Sequence, residues 1–341
     1  MTKTIDTAGG ELGAPAGPDP LLSMRGLRIG FPTSRGIAFA AQNIDLDLAQ
    51  GEILGLVGES GSGKSVTCKA IVGMVPHPGA VLGGTIEYEG RDLLALSFRE
   101  MREVRAHKIA MIFQDPSSSL NPVFSIGQQI GDVLRVNEGL NKAAAMRRGV
   151  ELLDSVGIPA PQKRIKAYPH ELSGGMRQRV MIAMALAGGP RLLLADEPTT
   201  ALDVTIQDQV LRLLEEVQHR TNMSMILVSH DMGVIGQMAD RIAVMYAGYV
   251  VEVAAVGDIL RSPSHPYTRA LIDAMPELVP GGSKRLRTIP GYPPDLSHLV
   301  PGCPFAPRCP LARAACADVS MDLIEVRPGR KSACPFAGHS G

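Results

Sequence analysis

Apolar and polar positions alternate strictly through Ile44-Asp45-Leu46-Asp47-Leu48, and the wider stretch from Leu22 to Leu48 keeps that strand-like pattern around the turn Phe31-Pro32-Thr33-Ser34-Arg35-Gly36. This predicts an antiparallel β subdomain feeding the next element, the unbroken apolar run Ile53-Leu54-Gly55-Leu56-Val57. A helix is expected from near Lys64, with Val66 to Met74 continuing it until Gly73 and Pro76 bring it to an end. Thr85 to Gly90 alternates as a half-buried strand, and Lys108 to Phe113 reads as a short buried one closed by Gln114. Asp115-Pro116 then breaks into a loop, and helical periodicity runs from about 125 to 187, ending in the apolar stretch Val180 to Ala187. Two more buried strands follow, Arg191 to Ala195 with Asp196-Glu197-Pro198 at its end, and Met225 to Ser229 running into His230-Asp231. This order predicts an α/β fold in which a helical insertion, about 115–187, separates two halves of a sheet.

The two ends of the chain break the pattern. Residues 1–20, rich in Gly, Pro, Ala and Thr, read as a flexible leader, and beyond about residue 260 the composition shifts to Pro, Gly and short apolar pieces. A length of 341 residues fits one large domain plus an appendage. With 34 basic and 34 acidic residues the formal net charge is zero, which argues against a nucleic-acid partner held by a strongly basic surface. No apolar run reaches the 18 or more residues of a spanning helix and no basic-then-apolar signal segment opens the chain, so a cytosolic-side protein is expected. In a reducing compartment, four of the five cysteines crowded together, Cys303, Cys309, Cys316 and Cys334, suggest a metal before a disulfide, while Cys68 reads as a small packing residue.

Chemistry enters at Gly58-Glu59-Ser60-Gly61-Ser62-Gly63-Lys64-Ser65, which fits G-x-x-x-x-G-K-[ST] between an apolar strand and a helix. Glycines let successive N–H groups converge on a phosphate at a helix N-terminus; Lys64 would reach the β- and γ-phosphates and Ser65 would ligate Mg²⁺. At the end of a buried strand, Asp196 and Glu197 suit a division of labour, one carboxylate on Mg²⁺ and its neighbour orienting the attacking water, or simply two solvated acids. His230 suits a γ-phosphate contact or a packing or capping role. Phe31 suits stacking on an adenine base or packing. Ser173-Gly174-Gly175 opens the helix after Leu172, presenting another N-terminus with bare amides.

With these motifs in this order, the chain from about 22 to 260 resembles the nucleotide-binding subunit of an ATP-binding cassette (ABC) transporter. The resemblance rests on the phosphate loop, Gln114, the signature Leu172-Ser173-Gly174-Gly175-Met176-Arg177-Gln178-Arg179, the acidic strand followed by Ala201-Leu202-Asp203, and His230. It implies a P-loop NTPase fold with a RecA-like core, an antiparallel β subdomain and a helical subdomain. It also implies an ATP site built from residues 58–65 with Val66 and Phe31, and completed by Ser173, Gly174 and Gly175 of a second cassette. Glu197 would act as general base, His230 would orient the γ-phosphate and water, Lys64 would clamp charge, and Mg²⁺ would lie among Ser65, Gln114 and Asp196.

Tyr168 to Leu186 and Ser262-Pro263-Ser264-His265-Pro266-Tyr267-Thr268-Arg269-Ala270-Leu271 resemble, more narrowly, the ATPases of dipeptide and oligopeptide importers. That resemblance implies peptide uptake, with nickel or another small solute as the alternative. It implies two integral membrane permease subunits, an extracytoplasmic solute-binding protein, and a place on the cytoplasmic side of the inner membrane. Met176 and Met184 look like the subunit whose homologous ATPase partner differs, giving a heterodimer, with a homodimer as the alternative and core packing as their physical account. The Pro-rich segment with C-x5-C-x6-C-x17-C resembles the importer extension that holds a [4Fe–4S] cluster; the donor set also suits Zn²⁺, and free thiols remain open. The rival class, a soluble ABC ATPase acting on nucleic acid, fits poorly with one cassette and a neutral charge.

Overall fold

The computed structural model describes residues 19–115, 119–200, 202–275, 288–299 and 301–337. The leader, apart from Asp19 and Pro20, and Ala201 lie outside the described residues. Strands β1 (Leu22–Thr33) and β2 (Gly36–Leu48) form a hairpin, and β4 (Ala80–Tyr88) and β5 (Arg91–Asp92) complete a four-stranded antiparallel sheet in the order β2-β1-β4-β5. The hairpin turn is tighter than the six residues expected. Thr33 pairs with Gly36, and the Thr33 hydroxyl both accepts from the Arg35 N–H and donates to the Gly36 carbonyl, leaving only Ser34 and Arg35 outside the ladder.

The second sheet is mixed and parallel through its centre. Parallel strands β3 (Ile53–Val57), β6 (Ile109–Ile112), β7 (Leu192–Asp196), β8 (Ser224–Ser229) and β9 (Arg241–Tyr246) run in the order β9-β3-β8-β7-β6. Their residues alternate between two cores, as a period of two requires. Ile53, Val57, Leu193, Ala195, Met225 and Leu227 face one core; Leu54, Leu56, Leu192, Leu194, Ile226 and Val228 face the other. The second core also takes the inner face of the antiparallel sheet and helix α1 (Lys64–Ile71), including fully buried Cys68. Helix α1 stops three residues short of the expected Met74 because Gly73 adopts φ 60 and its N–H bonds back to Ala70.

Between β6 and β7, after α2 (Phe98–His107), stand α3 (Ile126–Glu138), α4 (Lys142–Ser155), the single turn α5 (Pro161–Arg164) and α6 (Gly174–Leu186), the helical insertion legible in the periodicity. Side-chain caps start three of them: Ser125, Asn141 and Ser173 each accept a backbone N–H of the first turn. Beyond β7 come α7 (Val204–Thr221) and α8 (Met232–Met238), whose N-cap Asp231 follows His230.

The C-terminal part is stitched into the main sheet. Strand β10 (Tyr249–Ala255) pairs antiparallel with β9, and α9 (Val256–Arg261) and α10 (Pro266–Asp273) follow it. The chain then returns, after residue 301, to lay β12 (Arg330–Ser332) along β10, with β11 (Ile324–Arg327) outside it. The extension therefore shares the sheet and the first core, to which Tyr267 and Phe305 contribute buried rings. Short apolar pieces among prolines hold little core of their own, and the return of the chain sets them on the core of the main sheet.

Candidate functional site

The phosphate loop leaves the carboxyl end of β3 and turns into α1 under backbone that tolerates no side chains. A Cβ on Gly58 would lie 2.1 Å from the Met245 carbonyl oxygen, and one on Gly63 2.1 Å from that of Ala40, with φ of 154° and 105°. The buried Lys64 ammonium donates to the carbonyls of Gly58 (2.8 Å) and Glu59 (2.9 Å), so the loop folds around its own cation. Burial lowers the Lys64 pKa, and Glu197 and Asp196 pull it back up. Ser60 and Gly61 form the exposed tip, Ser62 is buried, and Val66 packs on the second core.

Strand β7 brings its two acids beside this loop. The Ser65 hydroxyl donates to Asp196 Oδ1 at 2.7 Å; burial raises the Asp196 pKa while that bond opposes the rise. A hydroxyl beside a buried carboxylate is a donor set that fits a hard divalent cation such as Mg²⁺. Glu197 follows in left-handed backbone, φ 48°, its N–H donating to the Val228 carbonyl. Its Oε2 accepts from Gln114 Nε2 and Thr200 Oγ1, both at 2.8 Å, and its Oε1 lies 3.4 Å from His230 Nδ1. Residues from the ends of β6, β7 and β8 thus converge on one carboxylate, as expected at the carboxyl edge of a parallel sheet. Thr200 was not singled out from the sequence; the signal available was a hydroxyl three residues after the acid, one turn away.

The signature residues stand apart from this group. Ser173 is exposed and caps α6 by accepting the Met176 N–H, and a Cβ on Gly175 would lie 2.7 Å from Ile206 Cγ2. Gly174 faces Leu202, so the signature packs on the segment entering α7. Phe31 lies over Gly79, where a Cβ would meet its ring edge at 2.4 Å, a packing contact within the β subdomain. Met176 and Met184 pack against the first core.

Two residues beyond the cassette reach the phosphate loop. Arg308 forms a two-pronged ion pair with Glu59, at 2.6 and 2.9 Å, and the Tyr267 hydroxyl accepts the Glu59 N–H at 2.9 Å. Neither was foreseen, since nothing local in the sequence marks contacts across 249 and 208 positions.

Cys303, Cys309, Cys316 and Cys334 line one cavity of about 80 Å³ with His265, Phe305 and Phe336. Burial pushes the Cys303 thiol up to about 11 and raises Cys309 and Cys334 as well, so these thiols are protonated at neutral pH. Four sulfurs on one cavity fit a thiolate-held centre by donor type. Among the described residues no group of three or more His, Cys, Asp or Glu side chains is placed to hold a metal ion, and all four cysteines are free of disulfides.

Comparison with known proteins accords with this geometry. The family model for ABC transporters matches residues 41–200, and that for the oligopeptide/dipeptide transporter C-terminal region matches 251–316. A putative peptide import ATP-binding protein of Brucella abortus is 48% identical, covering 93% of this chain and 95% of the relative. The oligopeptide transport ATP-binding protein OppD of Bacillus subtilis is 52% identical over 84% of this chain and 81% of its own. Among solved structures, a dimeric ATP-binding cassette in a post-hydrolysis state with ADP and Pi is similar with a TM-score of 0.63 at 25% identity, covering 69% of this chain and 98% of that one. With relatives along nearly its whole length and both family models matched, this chain belongs to the ABC transporter ATP-binding subunits that carry the oligopeptide/dipeptide C-terminal region.

Proposed function

We propose that this chain is the ATP-hydrolysing subunit of an importer of dipeptides or oligopeptides. The observation that carries the reading is the convergence of Gln114, Thr200 and His230 on Glu197, next to the Ser65–Asp196 pair. Lys64 leaves the Gly58 and Glu59 carbonyls to reach the β- and γ-phosphates of ATP. Ser65 and Asp196, with Gln114, would hold Mg²⁺, which would supply charge neutralisation at the phosphates. Glu197 takes the proton of a water that attacks the γ-phosphorus as the bond to the β-phosphate oxygen breaks, giving ADP and phosphate. Gln114 holds Oε2 of that carboxylate and His230 lies beside Oε1, from where it would orient the γ-phosphate and the water.

The site is completed by a second, homologous cassette. Ser173, Gly174 and Gly175 sit at the start of α6 without a hydrogen bond to the phosphate loop of their own chain among the described residues, which supports a role in the partner's site. A heterodimer is the reading we adopt for the pair. Two permease subunits receive the stroke, and an extracytoplasmic binding protein delivers the solute, with the ATPase on the cytoplasmic face of the inner membrane. No helix among the described residues is long and apolar enough to cross a membrane. The names of the relatives and the C-terminal family model support peptides as the solute, and Phe31 is the candidate base-stacking ring. The four-thiol cavity supports a metal centre in the extension, [4Fe–4S] in our reading and Zn²⁺ otherwise, detectable as iron content and visible absorbance of anaerobically purified protein.

Uptake of a labelled tripeptide by cells carrying the whole transporter tests the assignment. Wild type restores uptake and Glu197→Gln abolishes it while still binding ATP. Restoration of nickel uptake without peptide uptake would replace the solute, and unchanged turnover in Glu197→Gln would remove Glu197 from the base role.

A further inference from the structure

We propose that Arg308 and Tyr267 are positioning residues for nucleotide binding: the C-terminal extension grips the phosphate loop from outside through Glu59 and sets its affinity for MgATP. The inference rests on the ATPase reading and adds to it a control that lies outside the cassette motifs.

Arg308 is spent almost entirely on this grip. Its Nη1 and Nη2 donate to the two Glu59 carboxylate oxygens at 2.6 and 2.9 Å, its Nε donates to the Pro290 carbonyl at 2.9 Å, and Nη1 also reaches the Tyr246 hydroxyl at 3.2 Å. The side chain is 5% exposed. A planar guanidinium held at every nitrogen has one orientation, which lysine cannot reproduce. Tyr267, fully buried, packs tilted against Tyr246 and edge-on against Phe305 at centroid separations of 4.5 and 5.3 Å, and that packing fixes the hydroxyl accepting the Glu59 N–H. Main chain and side chain of one loop residue are therefore both held by the C-terminal part.

Glu59 is where such a grip matters. Its carbonyl is one of the two that hold the Lys64 ammonium, at 2.9 Å, so its peptide plane controls the cation that must reach the phosphates. Its carboxylate, one residue from Gly58, is a negative charge in a loop built to receive a polyanion. Paired with Arg308 the carboxylate is neutralised; unpaired, it opposes the phosphates across a partly buried, weakly screened distance. A purely structural ion pair would hold the extension in place without acting on nucleotide affinity.

The test uses the assembled transporter with full-length chains and reads KM and kcat for MgATP, together with binding of a fluorescent ATP analogue in a Glu197→Gln background. Arg308→Ala is expected to raise KM and the dissociation constant about ten-fold, the scale of one unneutralised charge, with kcat changed less than about two-fold. Arg308→Lys falls between the two, and Tyr267→Phe, which removes only the acceptor, raises KM about three-fold. Adding Glu59→Gln to Arg308→Ala removes the opposing charge and recovers most of the affinity. Wild-type KM in Arg308→Ala, or a double variant as weak as the single one, overturns the proposal. If Arg308→Ala fails to assemble, Arg308→Lys and Tyr267→Phe decide, and wild-type KM in both overturns it. A wild-type transporter that does not turn over ATP sinks the ATPase reading and this inference together, whereas normal wild-type turnover with unmoved variants sinks the inference alone.

Discussion

Gln114 Nε2 donates to Glu197 Oε2 across 2.8 Å, linking the residue that leaves β6 for the helical insertion to the carboxylate at the end of β7. Any displacement of that insertion pulls on the carboxylate proposed above as the general base. Gln114→Ala is therefore expected to lower kcat more than it raises KM, and Glu197→Gln to lower kcat by about 10²- to 10⁴-fold, the usual weight of a general base. Steady-state phosphate release checks both; a Gln114→Ala change confined to KM would place Gln114 in binding alone.

Ser65 is the hydrogen-bond donor to buried Asp196. Ser65→Ala leaves that carboxylate without it, at a cost of about 1–3 kcal/mol. Thermal unfolding in the presence of a chelator should show the loss, and MgATP should protect the variant less than wild type. Equal melting temperatures would mean that water replaces the hydroxyl at no cost.

Gly63→Ala places a Cβ within 2.1 Å of the Ala40 carbonyl at φ 105°. The strain of about 1–3 kcal/mol has no side-chain escape, because the obstacle is backbone. The variant is expected to lose nucleotide binding, read by equilibrium titration, along with stability, whereas Gly61→Ala, which meets no atom within 4 Å, pays only for its φ of 78°.

Glu252 in β10 is fully buried and accepts the N–H groups of Ser264 and His265 at 2.7 and 2.8 Å, fixing the turn into α10. Burial raises its pKa, and the two backbone bonds oppose the rise. With the folded pKa above the unfolded one, its contribution is full below about pH 4.3 and is lost as pH rises through the raised value. The stability advantage of wild type over Glu252→Gln should accordingly shrink with rising pH above that point, measured by denaturant unfolding. An advantage that grows with pH would reverse the sign of the shift.

Much of the cassette was legible because its chemistry makes local backbone demands. Gly58 and Gly63 must be glycine where the loop touches Ala40 and Met245, and the alternation in β3, β7 and β8 divides their side chains between two cores. Strands β9 to β12 and the contacts of Arg308 and Tyr267 were not legible. The pairing of β12 with β10 and the reach of Arg308 and Tyr267 to Glu59 join positions far apart in the chain, and short apolar pieces between prolines carry no periodicity to announce them. The four cysteines were visible as a group, and their common cavity could be seen only once the chain had folded back. Thr200 was missed for the opposite reason, since a hydroxyl near an acidic strand end is too common a pattern to single out.

The pairing of β12 with β10 has one more consequence. Glu252 and Val253 of β10, already joined to β9 on one flank, have their other flank occupied by Ser332 and Lys331. A truncation at the apparent end of the cassette would strip that flank bare and offer an open ladder of peptide groups to any passing chain, so such fragments should clump before their catalysis could be assayed. The last stretch of polypeptide is, in this sense, the selvedge that keeps the woven sheet from unravelling into its neighbours.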